Sequence, residues 1–245
     1  VSARSDALGR PALPKRFYKV AEAVEHEGAW VVALDGKITR TPGRAALAFP
    51  DRTLADDVAA EWAAQGETID PATMPLTRLA NAAIDGVARE RDAVAAEIVK
   101  YAGSDLVCYR ADAPERLVAR QSAHWDPVLA FARDELGARF ILAEGVMFVE
   151  QSAEALAAVD RATPRDDAFV LAGLSVMTTL TGSALIALAV HRRRMTVDEA
   201  WAAAHLDEDW TVELWGEDAE ASARRAARRG DMDAAARMIG LARRA

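Results

Sequence analysis

The sequence predicts an α+β protein, with a small N-terminal antiparallel sheet and a packed helix followed by a C-terminal multihelical domain. Three observations carry that expectation. Short apolar runs separated by turn signals fill the chain as far as Phe49. Apolar residues at steps of three and four dominate afterwards. Pro71 and Pro75 mark the change, which divides the chain into a flexible lead over 1–14, an α/β domain over 15–75 and a helical domain over 76–245.

The sheet reads as a meander of roughly four strands. Phe17 to Val24 is the first, Glu25 to Gly28 a turn, and Trp30 to Leu34 the second. Asp35-Gly36 is a two-residue hairpin signal, because both central positions favour positive φ. Lys37 to Arg40 returns antiparallel, Thr41 to Arg44 turns, and Ala45 to Phe49 closes the set. A helix follows, with Thr53 as its cap and Asp56 at the capping-box position. Leu54, Val58 and Trp62 share one face of it, which makes Trp62 a packing anchor against the sheet.

Beyond Pro75 the stripes are helical. Leu76, Leu79, Ala83, Ile84 and Val87 form one, and Val94, Ile98 and Tyr101 another, stopped by Gly103. Asp126-Pro127 opens a helix that runs to Leu136. Phe140–Leu142 and Val146–Val149, around Gly145, suit a small hairpin or an extended segment. Ser152 caps a short helix ending before Pro164. The last main helix starts at Thr196, with Glu199 in capping-box spacing, and extends past Trp215 towards Arg229.

The stretch from Ala168 to Val190 carries no charge and is long enough to span a bilayer, with Arg192, Arg193 and Arg194 behind it. Ser175, Thr178, Thr179, Thr181, Gly182 and Ser183 dilute its centre. The pattern fits a central buried helix, broken near Gly182, better than a membrane span.

Composition narrows the function. The chain has 245 residues, 51% hydrophobic and 28% charged, with a formal net charge of -8 and a pI near 5.1. Nucleic-acid binding needs a basic face, so this acidic balance argues against it. The arginines 224, 225, 228, 229, 237, 243 and 244 are read as a solvated helix face offset by Glu217, Asp218 and Glu220. The single cysteine, Cys108, excludes an internal disulfide and lies in an apolar run. Phosphate-loop, dinucleotide-binding and nucleophile-elbow motifs are missing. His26, His124, His191 and His205 never fall at metal-ligand spacing. No cofactor and no metal are expected; an enzyme assembled from scattered carboxylates and histidines is the alternative reading.

The densest functional pattern is 205–218, where six carboxylates and two tryptophans share one short segment. On a helix, Asp207, Trp210 and Leu214 approach one face and Glu208, Val212 and Trp215 another. A charged helix with two anchoring tryptophans explains this blandly. A partner-docking strip explains it too, since tryptophan is a frequent hot-spot residue and carboxylates pair with a partner's arginines.

Seven segments, in order, carry a family resemblance. They are Asp35-Gly36-Lys37 with Arg40-Thr41-Pro42-Gly43, Glu61-Trp62-Ala63-Ala64-Gln65, and Met74-Pro75-Leu76-Thr77-Arg78-Leu79-Ala80-Asn81. Tyr101 with Ser104-Asp105-Leu106, Trp125-Asp126-Pro127, Thr179-Leu180-Thr181-Gly182-Ser183 and Glu213-Leu214-Trp215-Gly216 complete the series. Together they resemble the assembly chaperones that receive the α subunit of the F-type ATP synthase head. The resemblance implies a soluble non-enzyme without stable membrane insertion, cytoplasmic in a bacterium or in the mitochondrial matrix of a eukaryote. It implies a role in holding unassembled α subunits until β subunits replace the chaperone. The family's acidic patch falls on Asp207-Glu208-Asp209, so Asp207, Glu208, Trp210, Glu213 and Trp215 are the expected partner-binding residues.

Overall fold

The computed structural model describes residues 13–145 and 147–242, and the protein is α+β as expected. Most of the expected 1–14 lead, as well as Val146, Arg243 and Arg244, lies outside the described residues. Four strands form the main sheet: β1 (Ala21–His26), β2 (Ala29–Leu34), β3 (Lys37–Ile38) and β4 (Ala48–Phe49). β2 is central and pairs antiparallel with the other three. The β2–β3 turn is the expected Asp35-Gly36 pair, both at positive φ (48° and 74°).

The first strand begins later than Phe17. The backbone N–H groups of Lys19 and Val20 donate to the Asp35 carboxylate (3.0 and 2.9 Å), which takes this stretch out of any ladder. Those two N–H donors also hold the Asp35 carboxyl below its usual range.

Helix α1 (Arg52–Ala63) lies on the sheet and buries Leu54, Ala55, Val58 and Ala59. Its cap is Asp51, whose carboxylate accepts the Leu54 N–H at 3.1 Å, and not Thr53. An aspartate just ahead of the helix competes for the same first-turn donors and wins by position. Trp62 is half-buried and anchors the helix end, with the Tyr18 hydroxyl donating to its carbonyl at 2.7 Å.

Helix α2 (Pro75–Ala82) receives its cap from α1. Met74 supplies no side-chain cap, so the Glu61 carboxylate accepts the N–H groups of Leu76 (2.8 Å) and Thr77 (2.7 Å) and the Thr77 hydroxyl (2.7 Å). Burial raises the Glu61 pKa against these stabilising bonds. Glu61→Ala orphans three donors at one helix start and is expected to cost about 2 kcal/mol, measured by chemical denaturation. A variant within a few tenths of a kcal/mol of wild type would show that water replaces the carboxylate. The π turn that follows, Ala83–Val87, brings Asp85 to the Thr41 hydroxyl (2.6 Å) and the Gly43 N–H (2.7 Å), tying sheet to helices.

Helix α3 (Arg91–Ala102) ends at Gly103 as expected. A two-residue strand β5 (Tyr109–Arg110) then leads to α4 (Glu115–Phe131). Here the proline reading fails. Asp126-Pro127 starts no helix; Pro127 sits inside α4, on its exposed side. The buried stripe Gln121, Trp125, Val128, Phe131 runs through the proline, and its burial outweighs the lost backbone bond.

The segment around Gly145 is not a hairpin. β6 (Ala143–Glu144) pairs in parallel with β5, because the Gly145 N–H reaches the Arg110 carbonyl at 2.9 Å. Helix α5 (Ala153–Ala162) is capped by Ser152 as expected.

The uncharged stretch forms two helices, α6 (Ala168–Thr181) and α7 (Ala184–His191), broken at Gly182, whose φ is +65°. Both are buried among other helices, which accounts for their lack of charge. Among the described residues no helix is long and apolar enough to cross a membrane.

The last helical region is three helices, not one running on to Arg229. They are α8 (Val197–Ala204), α9 (Leu206–Trp215) and α10 (Ala219–Ala242). The Thr196–Glu199 capping box opens α8. Gly216, at φ +87° and ψ 171°, ends α9 in a conformation that only glycine adopts easily. Helix α10 returns across α6, α2 and α1. One buried core joins the sheet side, through Val32, Leu47 and Phe49, with the helices, through Leu171, Leu185 and Met238.

The basic face of α10 is more engaged than expected. Arg224 does pair with Glu220. Arg225 pairs with Asp209, Arg229 with Asp198 and Asp233, and Arg237 with Asp57, so these arginines clamp α10 onto other elements. Cys108 is fully buried, and burial with the nearby Asp105 charge pushes its thiol up to about 12.

Candidate functional site

Helix α9 carries every residue of the expected docking strip; its base and one flank are held, and its outer end is open. His205, between α8 and α9, is buried; its Nδ1 meets the Trp201 carbonyl at 2.9 Å and its ring stacks on Trp201 at 3.8 Å. Burial holds the His205 pKa below its usual value, with Arg225 and Arg228 adding to the effect. Leu206 is the buried residue of α9; the rest are half-buried or exposed.

Three carboxylates, Asp207, Glu208 and Asp209, occupy the first turn, where the positive end of the helix dipole favours them. Each also has a partner on another helix. Asp207 accepts from Gln121 Nε2 at 2.8 Å. Glu208 lies 3.9 Å from Arg228, and Asp209 pairs with Arg225. Further along, Glu213 pairs with Arg120 at 2.6 Å, and the Arg116 guanidinium sits 6.0 Å over the Trp210 ring. Pairs this exposed hold geometry more than they stabilise, at about 0–1 kcal/mol each.

The outer end of the helix is apolar and open. Trp215 is 84% exposed, and Leu214 and Val212 are exposed beside it. Helix α9 therefore presents a tryptophan–leucine end next to a carboxylate-rich start, on a short helix whose flank is fixed to α4 and α10.

A family model described as "ATP12 chaperone protein" matches residues 15–133. Among solved structures, the Atu1473 protein of Agrobacterium tumefaciens is 50% identical, covers 95% of this chain and 87% of its own, and superposes with a TM-score of 0.89. Atp12 of Paracoccus denitrificans is 41% identical, with 94% of this chain and 98% of that one covered, at a TM-score of 0.85. A point mutant of the same Paracoccus protein matches equally. The chain belongs to the ATP12 chaperone family.

In this ATP12-family chain, the structure brings Asp207, Glu208, Trp210, Glu213 and Trp215 together on one helix and leaves Trp215 free of neighbours that would bury it. Sequence reasoning missed what holds them: Arg116, Arg120 and Gln121 on α4, and Arg225 and Arg228 on α10. Arg120 and Gln121 lie more than eighty residues away, so no local spacing marks them. No group of three or more metal-type ligands occurs among the described residues. His124 and Glu199 do line one cavity of about 310 Å³. Glu199 is already committed, since its carboxylate accepts both the N–H (2.7 Å) and hydroxyl (2.8 Å) of Thr196.

Proposed function

We propose that this chaperone binds the unassembled α subunit of the F-type ATP synthase head, masks the surface meant for β, and releases it when β arrives. The observation that carries this reading is the exposed acidic–tryptophan helix α9, with Trp215 open to solvent in a protein of the ATP12 chaperone family. Apolar surface left bare on a free subunit invites self-association. A cover must be similarly apolar at its centre yet leave when a larger interface competes, which favours modest affinity and a polar rim. Trp215 and Leu214 supply the centre, and Asp207 and Glu208 the rim.

The work is done by binding, without catalysis, in the cytoplasm of a bacterium or the matrix of a mitochondrion. Asp207→Lys with Glu208→Lys is expected to weaken capture of purified α subunit about tenfold, by reversing rim charge. The double variant should stay folded but melt a few degrees lower, because it leaves the buried Gln121 amide without Asp207 and places cations at the positive end of the α9 dipole. Normal capture by a folded double variant would remove α9 from the interface.

A further inference from the structure

Gln121 is a polar side chain in an otherwise apolar stripe. With Trp125, Val128 and Phe131 it makes the buried face of α4, and it is 2% exposed. A buried amide is tolerated where its carbonyl and its N–H groups find partners. Both ends of Gln121 are used. Oε1 accepts the Ala111 N–H at 2.8 Å, and Nε2 donates to Asp207 Oδ1 at 2.8 Å. The backbone N–H at Ala111 can only donate, which fixes the orientation of the amide and turns its N–H side to Asp207.

The anchor is itself fixed. Ala111 follows β5, where the Arg110 side chain donates to the Val107 carbonyl (3.0 Å) and pairs with Asp126 of α4 (2.8 Å). One turn on from Gln121, Trp125 Nε1 donates to the Ala203 carbonyl near the end of α8 (2.8 Å). Helix α4 thus holds the chain on both sides of His205, at Ala203 and at Asp207.

The four carboxylates of α9 differ in what their partners are. Glu213 pairs with Arg120 at 2.6 Å, Asp209 pairs with Arg225, and Glu208 lies 3.9 Å from Arg228. Each of these three has a guanidinium of its own chain beside it, which an incoming cation would have to displace. Asp207 is exposed, its side-chain partner is a neutral amide, and it makes no ion pair among the described residues. Its charge is held in place without being neutralised. A side chain fixed before the partner arrives also loses less rotational freedom on binding.

We infer that Gln121 is a positioning residue for capture, holding the Asp207 carboxylate out to a basic side chain of the client, an arginine or a lysine. The inference rests on the chaperone reading above and assigns one contact within it. Gln121 does not touch the client; it acts through Asp207.

The test is a double-mutant cycle on the affinity for purified α subunit. Asp207→Asn keeps an oxygen for Gln121 Nε2 and removes the charge. Gln121→Met suits the apolar stripe and removes the hold, leaving the charge at Asp207. Each single variant should bind about tenfold more weakly than wild type. The two together should bind no more weakly than Asp207→Asn alone, because Gln121 then has no charge left to position. Methionine leaves the Ala111 N–H without its acceptor. If that variant melts below the assay temperature, Gln121→Glu takes its place in the cycle, since it keeps an oxygen for Ala111 and turns a like charge on Asp207. Losses that multiply to about a hundredfold would show that Gln121 supports the fold and not the charge, which overturns the inference. Wild-type affinity of either single variant, beside a weakened Asp207→Lys, Glu208→Lys protein, overturns it too and leaves the α9 reading standing. If wild type captures no α subunit at all, the chaperone reading itself fails and takes this inference with it.

Discussion

Asp105→Ala is expected to lower stability by about 3 kcal/mol at neutral pH, roughly 10 °C in melting temperature for a chain of this size. Asp105 is wholly buried where the segment after α3 meets the break between α6 and α7. Its carboxylate accepts the N–H groups of Val107 (3.3 Å) and Leu185 (3.1 Å), with the Ser183 hydroxyl and the Ala184 N–H also directed at it. Ser183 in turn caps α7 through the Ile186 N–H at 3.0 Å, and the Leu106 N–H holds the Gly182 carbonyl at 3.1 Å. Alanine leaves these donors buried and unpaired, at about 1–3 kcal/mol for each one that water cannot reach.

The penalty should depend on pH in a definite direction. Burial pushes the Asp105 pKa from 3.8 up to about 6, against the hydrogen bonds that favour its charged form. The folded chain therefore binds a proton that the unfolded chain has released. The stability this contributes is full below pH about 4 and is lost as pH rises through about 6. A shift of that size amounts to something on the order of 3 kcal/mol. The gap between wild type and Asp105→Ala, followed by denaturant titration, should thus narrow as pH rises from 4.5 to 7.5. A gap that widens over that range would mean that the carboxylate stays ionised in the fold at low pH.

What the sequence made legible was what local chemistry decides. The Asp35-Gly36 hairpin could be read because so few residue pairs accept two positive φ values. The α6–α7 break could be read because Gly182 is followed by Ser183, a good cap. Ser152 and the Thr196–Glu199 box were likewise visible. Errors arose where a distant contact overrode a local signal. Pro127 looked like a helix start until the stripe from Gln121 to Phe131 was seen to bury across it. Phe17 to Val20 looked like strand, yet Asp35 captures the Lys19 and Val20 N–H groups. Gly216 was passed over as a helix end because the charge pattern continues on both sides of it. The acidic residues of α9 were visible as a cluster, but their partners on α4 and α10 were not, and those partners decide which way the helix faces.

Gly173→Val is the second large effect expected, and it acts on α9 from a distance. Gly173 is buried on α6, against α10. A Cβ added there would lie 2.7 Å from Ile239 Cγ1 and 3.1 Å from the Ala235 carbonyl oxygen. Alanine already costs something: about 1 kcal/mol of helix propensity is gained, but Ile239 is buried and stiff at χ1, and the Ala235 carbonyl is backbone, so α10 must shift slightly to admit the methyl. Valine has two further methyls and nowhere to put them except against the α10 backbone. It should cost about 3 kcal/mol by overpacking and lower the melting temperature by roughly 10 °C. Helix α10 also carries Arg225 and Arg228, the partners of Asp209 and Glu208, and Arg228 donates to the Leu180 carbonyl at 2.9 Å. An α10 pushed off α6 takes those guanidinium groups with it, so α9 is left tethered mainly by α4 and the buried His205-Leu206 pair. Amide exchange across 206–215 should therefore quicken in the valine variant, and to a lesser degree in the alanine variant. A valine variant that melts normally would show that α10 rides over α6 with room to spare. One that melts low while α9 exchanges unchanged would show that α4 alone fixes the strip.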